Sequence, residues 1–166
     1  MFGIEIKESI NKLRVCSSEF IKFYKNNSRD DAKRVSEEAV KCFDFIVNEI
    51  LRIRDVHSKN RNFRNSDFKR SLGEDCGKVY QPANATERQS IITTPILPNP
   101  NSDICFEELI TKFKHRENKN TNFRIEADNS HIIIFSVSDF HRIPASIVEF
   151  NVQDFCQKAE NVARYI

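Results

Sequence analysis

The chain has 166 residues, with 26 Lys and Arg against 24 Asp and Glu, so its formal net charge is only +2. A chain of this length holds one well-buried core, and we expect a single domain over residues 1–166. The nearly balanced charge excludes a field of the whole molecule that would attract nucleic acid or an acidic membrane surface. Any such partner therefore has to bind a local patch.

The cysteines and the apolar runs bear on the compartment in which we expect the protein to be located. The five cysteines include no C-x-x-C pair, which is the spacing of many zinc and redox sites. We therefore expect reduced thiols in a cytoplasmic protein. No apolar run is long enough to cross a bilayer, and residues 1–5 have no basic segment of a secretory signal, so we expect no membrane association.

Residues 1–57 are predicted to form an antiparallel helical hairpin. Apolar residues from Ile4 to Tyr24 recur every three or four positions, and Asn26 and Asn27 end this first helix. Ser28 with Asp31 resembles a capping box for a second helix that ends near His57. The short connection between the two helices favours antiparallel packing.

Residues 58–101 are predicted to be an irregular connection. A short helix fits residues 58–72, and another fits residues 85–91. Residues 73–101 hold two of the three glycines and four of the five prolines, which favours a loop. A loop of this length is either functional or contains an element that the pattern does not reveal.

Residues 102–166 are predicted to form a helix, a sheet and a C-terminal helix. Ser102 or Asp103 can cap the first helix, and three strands follow at residues 122–127, 131–137 and 147–152. The strand at 131–137 is apolar on both faces, so we place it centrally with Ile133 and Phe135 fully buried. The predicted fold class is α+β, with an N-terminal helical hairpin, an irregular middle, and a small antiparallel sheet of about three strands with two helices packed on it.

Glycine and histidine spacing bears on cofactors and metals. No glycine follows Gly77, so neither a P-loop nor a dinucleotide-binding fingerprint is present, and we expect no cofactor. The four histidines lack the spacings of metal ligands, and we expect no metal.

Arg52 is followed by four residues and then by His57, at the end of the long second helix. This pattern resembles the R-x4-6-H motif of the HEPN superfamily, many of whose members are metal-independent ribonucleases acting across a dimer interface. The resemblance implies that His57 moves the proton of the 2'-hydroxyl group and that Arg52 stabilises charge on the phosphate. The alternative is that both are solvated cations near a helix C-terminus, where positive charge is favoured.

Two basic segments are the other candidates for function. The first basic segment, residues 52–70, interleaves Phe63 and Phe68 with seven cations: Arg52, Arg54, Lys59, Arg61, Arg64, Lys69 and Arg70. The second basic segment, residues 112–124, includes Phe123 and five cations: Lys112, Lys114, Arg116, Lys119 and Arg124. Cations with interleaved rings are typical of single-stranded nucleic-acid grooves. Alternatively, each segment is a solvated face whose rings turn into the core.

Two functions follow. We expect a small cytoplasmic binding or accessory protein whose basic surface contacts RNA, single-stranded DNA or an acidic protein. The alternative is a HEPN-like ribonuclease of toxin or anti-phage type, acting as a homodimer. Residues 114–116, 122–125 and 131 also resemble a pattern in uncharacterised bacterial proteins, and this resemblance implies no activity. We expect a bacterial protein.

Overall fold

The computed structural model describes residues 2–166. Within that range the helices are α1 (Phe2–Lys25), α2 (Arg29–His57), a 3-10 helix (Phe63–Asn65), α3 (Asp67–Leu72), α4 (Ala85–Ser90), α5 (Phe106–Lys114) and α6 (Val152–Ala163). The strands are β1 (Asp75–Tyr80), β2 (Ser102–Cys105), β3 (Thr121–Ile125), β4 (His131–Val137) and β5 (Ser146–Asn151). The predicted α+β class is confirmed.

The chain divides into two compact units. The helical unit comprises Met1–Leu72 and Phe155–Ile166, and the sheet unit comprises Gly73–Asp154. The expectation of a single domain stays a prediction.

Helices α1 and α2 form the long N-terminal hairpin. Their apolar faces bury Leu13 on α1 and Ile46 and Ile50 on α2, and an ion pair joins Lys12 Nζ to Glu38 Oε2 at 3.2 Å. The capping box predicted at the start of α2 is wrong. Ser28 is the N-cap residue, but its ψ of 73° lies outside the extended region that capping side chains use, and its hydroxyl makes no capping hydrogen bond.

The sheet unit holds one antiparallel sheet of five strands in the order β2-β1-β5-β4-β3. The sequence predicted about three strands. β1 was missed because Asp75–Tyr80 mixes charged residues with a glycine in a loop-like stretch. β2 was missed because Ser102 and Asp103 look like helix caps, whereas the helix begins at Phe106.

The sheet has an apolar layer on each face. On one face, the rings of Phe135 and Phe150 meet Phe113 of α5, with centroids 5.3 and 6.1 Å from it. On the other, the buried residues Ile134 and Ile147 pack with a cluster of three further apolar residues: Ala83, Ile91 and Leu97. The predicted central position of β4 is confirmed, since β4 is an interior strand that pairs with β3 on one side and β5 on the other.

Ile133 is less buried than predicted. Phe135 is fully buried, whereas Ile133 is only partly buried, because its partner across the strands is Phe123 of the edge strand β3. Among residues 2–166, no helix is both long and apolar enough to cross a membrane.

Candidate nucleic-acid interface

Arg52 and His57 lie in the last turns of α2, where both side chains are exposed. The Arg52 guanidinium donates to the Glu49 carboxylate, with Nη2 2.8 Å from Oε2, and this hydrogen bond raises the pKa of Arg52. The His57 ring packs against Phe68, with centroids 5.0 Å apart. His57 is therefore held at the surface by an aromatic contact, while Arg52 would exchange a carboxylate for any phosphate that it bound.

The chain after α2 is a series of short turns stabilised locally. Asn60 accepts a hydrogen bond from the backbone N–H of Asn62 through its side-chain oxygen (3.0 Å), and the Ser66 hydroxyl donates to the carbonyl of Phe63 (2.6 Å). The ring of Phe68 is buried and contacts the partly buried ring of Phe63 at 6.3 Å. Phe68 therefore belongs to the core, whereas the ring of Phe63 is partly exposed at the surface.

Four cations of the first basic segment are already engaged. Arg52 is bound to Glu49, and three others are held by neighbours in the segment: Arg54 by Asp55, Arg70 by Asp67, and Lys69 above the ring of Phe63. The charges of the three arginines are therefore partly neutralised before any ligand binds, and the Lys69 ammonium is positioned over an aromatic ring.

Lys59, Arg61 and Arg64 differ from these four. All three side chains are exposed, and within the described range the structure gives them no ion pair and no side-chain hydrogen bond. Together with Phe63, they lie within the six consecutive positions 59–64. This short stretch is the part of the first basic segment best suited to meet a phosphate backbone.

In the second basic segment, Lys112 lies inside the protein. Its side chain is buried, and its ammonium nitrogen lies 3.3 Å from the Ser146 hydroxyl and 3.5 Å from Gln81 Oε1. Burial lowers the pKa of Lys112, and the nearby Glu108 only partly opposes that shift. The ammonium group is therefore not on the surface that the sequence assigned to it.

The other cations of the second basic segment fall into two groups. Arg124 is held by Glu149 (Nη1 to Oε2, 2.6 Å) and Glu126 (2.9 Å), and Arg116 lies 4.2 Å from the ring centre of Phe113. Lys114 and Lys119 are exposed. The segment thus contributes two solvent-facing lysines rather than a continuous basic face.

The sequence prediction does not include a further group, which contains His115, the residue directly after Lys114. His115 stacks on Phe140, with ring centroids 4.4 Å apart and planes inclined by 30°. Phe140 begins a tight turn to Ile143 whose central residues, His141 and Arg142, are exposed. The signal available in the sequence was the run Phe-His-Arg between two strands, which places an aromatic ring and two polar cation-forming side chains in one turn.

An open cavity of about 350 Å³ lies on the sheet, and its lining is acidic. Lys78 in this lining is paired with Asp103 at 2.9 Å, and three further carboxylates line the cavity: Asp75, Glu149 and Asp154. Gly77 occupies a bulge in β1 with φ +94°, where a Cβ atom would lie 2.5 Å from the Glu149 carbonyl oxygen. Phosphates are not expected in this cavity, because the carboxylates would repel them.

In the part of the chain that the structure describes, no group of three or more His, Cys, Asp or Glu side chains is arranged to hold a metal ion. Comparison of the chain with protein-family models, curated proteins and solved structures gives no match. The resemblance of Arg52 and His57 to the HEPN motif therefore stays a prediction.

Proposed function

We propose that this protein is a binding or accessory protein that contacts single-stranded nucleic acid through its first basic segment. The observation that carries the proposal is the exposure of Lys59, Arg61 and Arg64 without an ion-pair partner among the described residues. Cations that hold no carboxylate can neutralise phosphates and release counterions without first breaking an internal pair.

Phe63 supports a single strand over a duplex as the ligand. Its ring is partly exposed between Arg61 and Arg64, and Lys69 lies 5.7 Å from its centre. Unpaired bases can stack on such a ring, whereas the bases of a duplex are already stacked on each other. A short turn-rich segment with three free cations and one ring suits a flexible strand.

Replacing Lys59, Arg61 and Arg64 together by alanine tests the proposal. We expect the affinity for a fluorescein-labelled oligo(U) or oligo(dT) to fall by about ten-fold or more at low salt, measured by fluorescence anisotropy. The matched control replaces Lys7, Lys22 and Lys33, which are exposed elsewhere in the helical unit, and so removes the same charge. Equal losses in both triple variants would contradict the assignment of the segment.

If neither oligonucleotide binds at low salt, the nucleic-acid proposal fails. An acidic protein would then be the partner class to examine, because the same three cations could pair with carboxylates.

The second candidate function is a HEPN-like ribonuclease using Arg52 and His57. It is supported by the exposure of His57 at the end of α2, where the contact with Phe68 orients its ring. A single imidazole adds little to phosphate affinity but is needed for proton transfer.

For this candidate we expect His57→Ala to abolish cleavage of single-stranded RNA while RNA binding is retained. Gel analysis of a labelled RNA checks cleavage, and anisotropy checks binding. The candidate also requires a homodimer, which light scattering measures. Cleavage that survives in the His57→Ala variant, or a strict monomer that cleaves RNA, would contradict it.

A further inference from the structure

We propose that His115, Phe140 and Arg142 form a second binding site, in which one base of a single-stranded nucleic acid stacks on His115 and an adjacent phosphate binds Arg142. The inference rests on the proposed function for its class of ligand. It uses other residues, all in the sheet unit, and so can fail separately. We refer to these three residues as the stacking site.

The stacking surface is the imidazole of His115. This residue ends α5 as its C-cap, where its backbone N–H donates to the carbonyl of Lys112 at 3.0 Å. Its side chain is exposed, and Phe140 supports one face of the ring from 4.4 Å at an inclination of 30°. A ring that is supported on one side and open to solvent on the other can accept a base, as histidine does in RNA recognition.

The turn from Phe140 to Ile143 carries Arg142 two residues after the ring that supports His115. Phe140 and Ile143 exchange two backbone hydrogen bonds, at 3.1 and 2.7 Å, which close the turn. Its two central residues have positive φ, 45° for His141 and 66° for Arg142, which is the geometry that Asn and Gly usually supply. Residues held in this conformation concentrate at functional sites, and here it projects two polar side chains into solvent.

The local charge favours a phosphate. Lys114, Lys119 and Arg142 are exposed, and residues 2–166 offer none of them an ion pair or a side-chain hydrogen bond. The two acidic residues nearest in sequence are Asp139, which is exposed, and Glu117, whose carboxylate is bound to Arg88 at 2.8 Å and to the Ser136 hydroxyl at 2.9 Å. The residue before His115 and the turn that carries Phe140 therefore each provide an exposed cation without an ion pair in the described range, Lys114 and Arg142.

The combination of a ring and cations selects the ligand. A phosphopeptide would use the cations alone, whereas a single-stranded nucleic acid offers a phosphate and a base at each nucleotide. Stacking is tolerant of sequence, because every base has an aromatic face. We therefore expect the stacking site to bind single strands with little sequence preference.

The experiment compares His115→Ala, His115→Phe and Arg142→Gln on two labelled probes, oligo(dA) and an abasic strand of the same length. His115→Ala should weaken oligo(dA) binding by roughly five-fold or more without changing its salt dependence, and His115→Phe should restore the affinity. The abasic strand should not respond to His115→Ala. Arg142→Gln should weaken both probes and lower the salt slope by about one unit.

The outcomes separate this inference from the proposed function. If His115→Ala and Arg142→Gln leave oligo(dA) binding unchanged while the triple variant of Lys59, Arg61 and Arg64 weakens it, the stacking site is overturned and the proposed function stands. If only the stacking-site variants weaken oligo(dA) binding, the stacking site stands and the role proposed for the first basic segment is overturned. If the abasic strand binds as tightly as oligo(dA) and only Arg142→Gln matters, the site recognises phosphate alone and base stacking is overturned. Thermal melts of each variant verify the fold.

Discussion

At the scale of single residues, charge can be read from the sequence but its accessibility cannot. Lys112 and Lys114 are two positions apart on α5, yet the first is buried and the second is exposed. Phe63 and Phe68 are likewise similar in the sequence, and only Phe68 belongs to the core. Tertiary packing decides which of these side chains is buried. The spacing of apolar residues in a short segment does not reveal it.

His131 provides a pH test of the sheet. Its side chain is buried in β4, and burial lowers its pKa from the usual 6.5 to about 4. Between pH 4 and pH 6.5, the His131 side chain therefore binds a proton in the unfolded chain but not in the folded chain. The stability that neutral His131 contributes is present above its unfolded pKa and is lost as the pH falls through the folded value.

We expect the free energy of unfolding of the wild type to drop by about 2–3 kcal/mol more than that of a His131→Phe variant between pH 7 and pH 4. Urea unfolding at several pH values measures the difference. Carboxylates that titrate in the same range affect both proteins alike, so the comparison isolates the histidine. Parallel pH profiles would show that His131 is solvated in the folded protein.

At the scale of elements, long periodic segments were predicted well. The spacing of apolar residues predicted α1 and α2 to within a few residues, because each helix has one continuous buried face. β1 carries its bulge at Gly77, and β2 has only four residues. Short strands with interrupted alternation give too little pattern to separate them from loops.

The Phe140–Ile143 turn couples stability to the stacking site. Positive φ costs an ordinary residue about 1–2 kcal/mol, whereas Asn and Gly adopt it readily. Replacing His141 by Asn and Arg142 by Gly should therefore raise the free energy of unfolding by about 1 kcal/mol and weaken binding of oligo(dA). Urea denaturation and anisotropy on the same preparation measure the two effects. A double variant that is less stable than the wild type would show that the turn is not strained.

At the scale of the whole molecule, a net charge of +2 conceals local differences. Many cations are neutralised by nearby carboxylates, and the sheet cavity is acidic, while Lys59, Arg61 and Arg64 remain exposed without such partners among residues 2–166. The composition predicts that a nucleic-acid partner would need a local basic patch, but it does not predict which cations form that patch. The ion pairs that engage Arg52, Arg54 and Arg70 depend on side-chain geometry that the sequence does not specify.

The most direct test of the central claim is the salt dependence of oligo(U) binding, measured by anisotropy across a range of NaCl concentrations. The logarithm of the binding constant should fall linearly with the logarithm of the salt concentration, at about 0.7 per phosphate contact for a single strand. Replacing Lys59, Arg61 and Arg64 by alanine should flatten this slope by about two units, while the Lys7, Lys22 and Lys33 control leaves it unchanged. A slope that is the same in the wild type and the triple variant would contradict the claim.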